Sequence, residues 1–265
     1  MSTCSSKFTA AGLSLLLCLM SSAAAAKVVK SKRLAGTARD VVVGSRVEVE
    51  GTDFEAPVFI EWSPTERLQL AAEIAYGRTE LDDGSIASGL NDLEVSGTYE
   101  ILPERRRRWG LAAELEAKLP TTKNRQLGTG KSDVGVGLIA TKEFVHWDFE
   151  VSGVYTFIGS PRGMSLSNVY ELSVAAEWHP TGRLDVFGEF VGSGGGAVGG
   201  GSRNSIGLGG LSEVFADNGG AEGEVTFGVA EHLTRHLKLE QAVTIGSDGA
   251  LLAILGWEYD FGFGD

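Results

Sequence analysis

Glutamates at alternate positions are the residues best suited to chemistry in this chain. Glu114 and Glu116 share one face of a predicted strand, because successive strand side chains point to opposite faces. Two such carboxylates can serve as general acid and base, or they can attract cations through their summed field. Pairs of this kind occur on almost any polar strand face, so the sequence favours the field over catalysis. Three glutamates on other predicted strands belong to the same set: Glu94, Glu150 and Glu171.

The composition indicates a folded domain and argues against nucleic acid as a partner. The chain has 265 residues, of which 22 % are charged and only 6 are prolines, which is unlike a disordered chain. Its formal net charge is −12, whereas nucleic-acid binding needs basic patches that neutralise phosphates. Both cysteines, Cys4 and Cys18, lie in the first 26 residues, so no disulfide or thiol chemistry is expected beyond them. We expect no cofactor, no metal ligands and no catalytic residues.

The first 26 residues have the composition of a secretory signal peptide. Lys7 precedes an apolar stretch from Phe8 to Met20, and the segment ends in small residues from Ser21 to Ala26. Residues 27–40 are basic and polar and are predicted to form a periplasmic leader. Residues 41–265 are predicted to form the folded domain.

Twelve segments of this domain alternate apolar and polar residues, as strands with two different faces do. Between Leu111 and Leu119, for example, leucine and alanine fill the odd positions, while Glu114 and Glu116 fill even ones. Most segments have roughly 9–12 residues, the length of a tilted strand that crosses a bilayer. The predicted strands are residues 41–50, 56–62, 67–78, 91–102, 109–119, 132–144, 148–158, 168–179, 184–193, 223–233, 236–246 and 250–261.

The connections between these segments alternate between short turns and long loops. The four long connections all follow odd-numbered segments, and they span residues 80–90, 120–131, 159–167 and 194–222; 247–249 is short on that side. The other side has only short connections, at residues 63–66, 103–108, 145–146, 180–183 and 234–235. This asymmetry is typical of outer-membrane barrels, whose short turns face the periplasm.

The tryptophans give a second indication of a membrane barrel. All five lie near a short turn or near the end of the last predicted strand, and therefore at one height: Trp62, Trp109, Trp147, Trp178 and Trp257. A ring of this kind is the aromatic girdle of a membrane interface. The sequence predicts an all-β protein, a transmembrane antiparallel up-and-down β-barrel of about 12 strands in the cell outer membrane. A periplasmic sandwich or a small-ligand barrel is the alternative.

Outer-membrane lipids and the barrel-insertion machinery are the macromolecular partners that we expect. The last predicted strand carries an apolar alternate row that ends in aromatic residues. This row is similar to the C-terminal signal by which outer-membrane barrels are inserted, and it consists of Ala253, Leu255, Trp257, Tyr259 and Phe261.

Several motifs resemble a MetA-like family of predicted outer-membrane channels, named after the putative meta-pathway of phenol degradation. The resemblance centres on Leu119-Pro120-Thr121, on the sequence LGTGKSD at residues 127–133, and on the strand that runs into Lys142. It continues through Val154-Tyr155 and the closing hairpin 229–261. The resemblance implies a barrel that passes small, often aromatic, solutes.

The apolar faces of such a barrel contact lipid, so its polar faces line a lumen. Many predicted lumen residues are carboxylates, and few are cations: Arg46, Lys118, Lys142 and Lys238. The sequence therefore predicts a passive channel for small solutes, in which Glu94, Glu114, Glu116, Glu150 and Glu171 form a selectivity field that favours cations.

Two alternatives to a channel remain. One is a closed structural or receptor-like barrel, whose lumen is filled by its own side chains. The other is a lipid-modifying enzyme with a Ser-His site near the outer leaflet. The positions of the histidines disfavour the enzyme, because all four lie beside the short turns: His146, His179, His232 and His236.

Overall fold

The computed structural model describes residues 40–81, 84–124, 127, 130–160, 167–195, 222–247 and 249–262. The predicted signal peptide, residues 27–39 of the predicted leader and most of the predicted 194–222 loop lie outside these residues. Among the described residues, no helix is long and apolar enough to span a bilayer.

Within the described ranges the chain forms thirteen β-strands. They are β1 Val41–Glu50, β2 Asp53–Thr65, β3 Leu68–Glu80, β4 Ile86–Leu90, β5 Leu93–Leu102, β6 Gly110–Leu119, β7 Asp133–Glu143, β8 Trp147–Phe157, β9 Val169–Thr181, β10 Leu184–Gly195, β11 Glu222–His232, β12 Leu237–Gly246 and β13 Leu251–Asp260. Sequence neighbours pair in antiparallel fashion from β5 to β13, which is the up-and-down order predicted from the alternation.

The strands close into a barrel. β1 pairs with β13 on one side and with β2 on the other, and the pairing of β2 with β3 completes the ring. β4 and β5 pair with different parts of β3, so together they occupy one strand position of the ring, interrupted at Asn91 and Asp92. Each such strand position is called a stave below. The barrel therefore has 12 staves, which confirms the predicted fold class. Closure gives each stave a hydrogen-bonding neighbour on both sides, as a spanning sheet requires in lipid.

β4 corrects the prediction that residues 80–90 are one long loop. Ile86–Leu90 pairs with the last five residues of β3, and a turn with Gly84 at φ 77° precedes it. The segment IASGL shows little alternation and contains glycine and serine, so its sequence gives a weak strand signal. Its partner strand and an apolar cluster formed by Leu81, Ala87 and Leu127 stabilise it instead.

Alternation along each strand separates an apolar outer face from an inner face that is largely polar. On β9, Leu172 and Val174 are exposed on the outside, whereas Glu171 and Ser173 are buried on the inside. The outer face of the other staves carries the same kind of exposed apolar residue, for example Val58, Ile60, Leu115, Leu138, Val151, Phe190, Phe227 and Leu255. The barrel therefore presents a continuous apolar belt.

Lys142 lies on the outer face, which corrects its prediction as an inward cation. Its register partner is Phe149, an exposed residue of the belt. Its Nζ donates to Glu104 Oε1 at 2.7 Å and to the carbonyl oxygen of Arg105 at 3.0 Å. Long cationic side chains at a membrane interface commonly place their ammonium group beyond the apolar region in this way.

Candidate functional site

The five predicted selectivity glutamates point into the lumen but lie on two separate walls. Glu94 on β5 and Glu114 and Glu116 on β6 are half-buried on adjacent staves. Glu150 on β8 and Glu171 on β9 are only 5 % and 3 % exposed. The structure thus brings three of the five together at a surface that water reaches and places the other two in a packed wall. Their action as a selectivity field stays a prediction.

Glycines of β7 make room for the two carboxylates of β6. Glu116 stands opposite Gly135 in the register, and Glu114 stands opposite Gly137. A Cβ atom at Gly135 would lie 3.1 Å from Glu116 Oε2, and a Cβ atom at Gly137 would lie 3.5 Å from Glu114 Cβ. Larger side chains on β7 would therefore occupy the space beside these carboxylates.

The inward cations predicted on β1, β6 and β12 all form ion pairs. Arg46 binds two carboxylates, with Nε 2.5 Å from Glu48 Oε1 and Nη2 2.9 Å from Glu73 Oε1. The other two pairs are Lys118 Nζ with Asp133 Oδ2 at 2.6 Å and Lys238 Nζ with Glu258 Oε2 at 2.9 Å. Each inward ammonium or guanidinium group thus has its charge balanced locally.

An apolar cluster fills part of the lumen between β10 and β13. It consists of Phe187, Ala230, Ala242, Leu252 and Ile254, all buried. The ring of Phe187 covers Gly228, because a Cβ atom at Gly228 would lie 2.2 Å from Phe187 Cζ. This side of the lumen is therefore packed by side chains.

A cluster of histidines and aspartates at the short-turn end of the lumen was missed by the sequence reasoning. His179 Nε2 lies 2.8 Å from Asp148 Oδ2, and its Nδ1 lies 2.7 Å from Asp185 Oδ1. His232 Nε2 lies 2.6 Å from the second oxygen of Asp185. The alternation of side chains along β9 could have indicated this cluster, because it places His179 on the same inner face as Glu171 and Glu177.

The five tryptophans lie on the outer face, and each is between 41 % and 48 % exposed. Trp147 and Trp178 are register partners on β8 and β9, and their rings stack at 6.0 Å between centroids. Trp62, Trp109 and Trp257 also lie toward the short-turn end of their staves. Their role as a membrane girdle stays a prediction that this placement is consistent with.

The family is identified by comparison with known sequences. The model of the family described as the putative MetA-pathway of phenol degradation matches residues 31–230, most of the chain. The chain belongs to this family. The resemblance predicted from its motifs is thereby confirmed. No curated protein matches the sequence.

Solved outer-membrane channels have the same fold as this MetA-family chain. The COG4313 outer membrane channel from Pseudomonas putida F1 is similar with a TM-score of 0.68 at 12 % identity, covering 84 % of this chain and 96 % of that chain. The NanC porin is similar with a TM-score of 0.60 at 11 % identity, covering 83 % of this chain and 98 % of that chain. The KdgM porin, solved in complex with disordered oligogalacturonate, gives 0.55 at 10 % identity, covering 82 % and 98 %. Identities this low show a shared fold alone.

The apolar belt decides where this fold resides. A closed ring of staves with valine, leucine and phenylalanine exposed all round is stable only when lipid covers that face. The barrels that share the fold are outer-membrane proteins. The predicted localisation in the cell outer membrane is confirmed.

Proposed function

We propose that this MetA-family barrel is a channel that passes small solutes passively and favours cations. The supporting observation is the exposure of one lumen wall. Glu94, Glu114 and Glu116 on β5 and β6 point inward and remain half-buried, whereas most inward residues of β1, β2, β9 and β13 are buried. Inward side chains that keep contact with water mark the part of the lumen that is open to a solute.

The charges on this wall support a preference for cations. Carboxylates in a narrow aqueous passage with low-dielectric walls concentrate counter-ions and exclude anions. Among the predicted inward cations, Lys118 lies on this wall, where it is the register partner of Glu94 and pairs with Asp133 at 2.6 Å, so the wall keeps an excess of carboxylates. The KdgM porin was solved with oligogalacturonate, a polyanion, and the wall proposed here would repel such a solute. We propose small cationic or uncharged solutes, including the aromatic compounds that the family description suggests.

Single-channel recording in a planar lipid bilayer tests this function. We expect steady conductance and a reversal potential of cation-selective sign under a salt gradient. The double variant Glu114→Gln and Glu116→Gln keeps the shape of the wall and removes two charges, so the reversal potential should move toward zero. Glu231→Gln is the matched control, because Glu231 is exposed at the short-turn end of β11 and does not face the lumen.

Two results would contradict the proposal in different ways. A folded barrel that never conducts would remove the channel itself. Conductance with a reversal potential that is the same in the double variant, the control and the wild type would leave a channel but remove these glutamates as its selectivity residues.

A closed barrel is the second candidate function, and the packed walls of the lumen favour it. Glu48, Glu55 and Thr226 are at most 1 % exposed although they point inward. With the cluster around Phe187, these residues show that side chains are packed inside the lumen. Replacing Phe187 with alanine would open this wall, so a silent wild type with a conducting Phe187→Ala variant would identify a closed barrel.

The remaining partners follow from the outer surface. We propose that lipids contact the apolar belt and that the insertion machinery binds the outward row of β13, in which Leu255, Trp257 and Tyr259 are exposed. An enzymatic role is not proposed, since His179 and His232 contact aspartates at the short-turn end of the barrel.

A further inference from the structure

Four neighbouring staves bring carboxylates and imidazoles together at the short-turn end of the lumen. Asp148 on β8 is the direct register partner of Glu177 on β9, and His179 follows Glu177 on the same inner face. Asp185 on β10 and His232 on β11 complete the group. A register shift between Leu184 and Val186 lies at Asp185, and bulges of this kind re-aim a side chain.

The register pair of Asp148 and Glu177 favours a positive charge beside it. Two like charges directly opposite each other on adjacent strands destabilise a sheet. One ligand atom each from Asp148, Glu177 and His179 lies within 4.8 Å of the others. A bound cation at this point would contact all three side chains.

The hydrogen bonds of His179 favour a metal ion in this position. A neutral imidazole carries one proton, and in the tautomer with that proton on Nδ1 this nitrogen donates to Asp185, 2.7 Å away. In that tautomer Nε2, which lies 2.8 Å from Asp148 Oδ2, has a lone pair available for an ion bound between the two side chains. Metal-binding histidines have this arrangement, with one nitrogen on the ion and the other donating to a carboxylate.

We propose that Asp148, Glu177 and His179 bind one divalent transition-metal ion of the zinc class. One imidazole and two carboxylates suit zinc, cobalt or manganese, whereas calcium and magnesium prefer sites built from oxygen alone. Ligand atoms of a tetrahedral zinc site lie about 3.4 Å apart, as bond lengths of about 2.1 Å dictate. His179 Nε2 lies 2.8 Å from Asp148 Oδ2 and all three ligand atoms lie within 4.8 Å of one another, so an ion among them would be within reach of all three side chains after they adjust.

Asp185 acts in this site as a positioning residue. In the tautomer with the proton on Nδ1 it accepts from His179 Nδ1, and it lies 2.6 Å from His232 Nε2, so it fixes the orientation of His179. The side chains of Asp148 and His179 are 14 % and 20 % exposed, and that of His232 is 39 % exposed. The site at the short-turn end is thus partly exposed, with Glu177 its most buried ligand at 3 %, and it does not depend on whether the lumen conducts.

Metal titration of the tag-free, detergent-folded barrel tests the site. After treatment with a chelator, the protein is titrated with Co²⁺, followed by visible absorption, and then with Zn²⁺ in competition, followed by calorimetry. We expect one ion per barrel. His179→Ala and Glu177→Gln should abolish binding, and Asp185→Asn should weaken it roughly 10–100-fold at unchanged stoichiometry.

His146 and His236 provide matched controls, because both lie at the same end of the barrel outside the cluster. His146→Ala and His236→Ala should bind as the wild type does. If these variants lose metal binding as the cluster variants do, surface histidines in general bind the metal and the proposed site is overturned. A wild type that binds neither Co²⁺ nor Zn²⁺, or that binds Ca²⁺ alone, would also overturn it and indicate that a protonated His179 balances the carboxylates. Migration on an unheated denaturing gel shows that each variant is folded, and Glu177→Gln replaces His179→Ala if the latter is not.

Discussion

Placing an arginine at the centre of the apolar belt should destabilise the barrel in lipid by about 2–4 kcal/mol. Val174 is the position of choice, because it is 52 % exposed and its register partners Val151 and Phe190 are also exposed outer residues. The depth of Val174 follows from its distance to Trp178, four residues further along β9. Four residues of strand span about 13 Å, which a tilt of about 40° reduces to about 10 Å along the barrel axis.

The free-energy cost of an arginine depends on its depth in the apolar belt, which this distance gives. The apolar band of an outer-membrane barrel is about 25 Å tall, so its midplane lies about 12 Å from either girdle. If Trp178 marks the interface, Val174 lies within a few ångströms of the midplane, where Arg has its largest cost. Val41 is the register partner of Trp62 and lies at girdle height, so Val41→Arg should cost only about 0–1 kcal/mol.

Reversible unfolding by denaturant in phospholipid vesicles, followed by tryptophan fluorescence, measures both free energies. The informative quantity is the difference between Val174→Arg and Val41→Arg, since both variants add the same side chain. If the two substitutions cost the same, the tryptophans do not mark an interface and the predicted girdle is wrong.

Two further substitutions test the lumen with the same unfolding assay. Gly228→Ala should destabilise the barrel by about 1–3 kcal/mol, because the new Cβ would meet the ring of Phe187 and the Cβ of Ala242. Gly182→Ala is its control, since a Cβ there meets nothing within 4 Å and should change the free energy of unfolding little; equal effects would contradict the packed wall. Arg46→Met should cost about 3–5 kcal/mol, because it leaves the buried Glu48 and Glu73 without their shared cation. Adding Glu73→Gln to Arg46→Met should recover part of this loss, and a neutral Arg46→Met would indicate that water solvates these carboxylates.

Much of the ring could be predicted from the sequence, because a spanning strand must alternate over a fixed length. The prediction of 41–50 coincides with β1, the prediction for β6 differs from the structure by one residue at one end, and those for β7 and β8 differ by one residue at each end. β4 escaped prediction because its pairing with β3 and its contact with Leu127 stabilise it, and neither interaction leaves a periodic signal in five residues.

The side-chain clusters inside the lumen could be predicted less well than the strands. The alternation along a strand shows which side chains point into the lumen. How deeply each is buried depends on the side chains of the other strands that face it there. Glu150 and Glu171 have the same local pattern as Glu114, but they lie in a packed wall. The group around His179 needs contacts over 31 and 6 residues of chain and a bulge at Asp185, none of which alternation alone specifies.

The pairing of β1 with β13 has a consequence for how the barrel is made. Val42 stands opposite Asp260, so the two ends of the ring's chain lie side by side at the short-turn end. A short linker between them, with new ends at the exposed turn around Gly182, would retain every pairing of the finished ring. Such a circular permutant changes only the order in which the strands are synthesised and exported. It would separate the requirements of the finished barrel from the signals that the cell reads during its assembly.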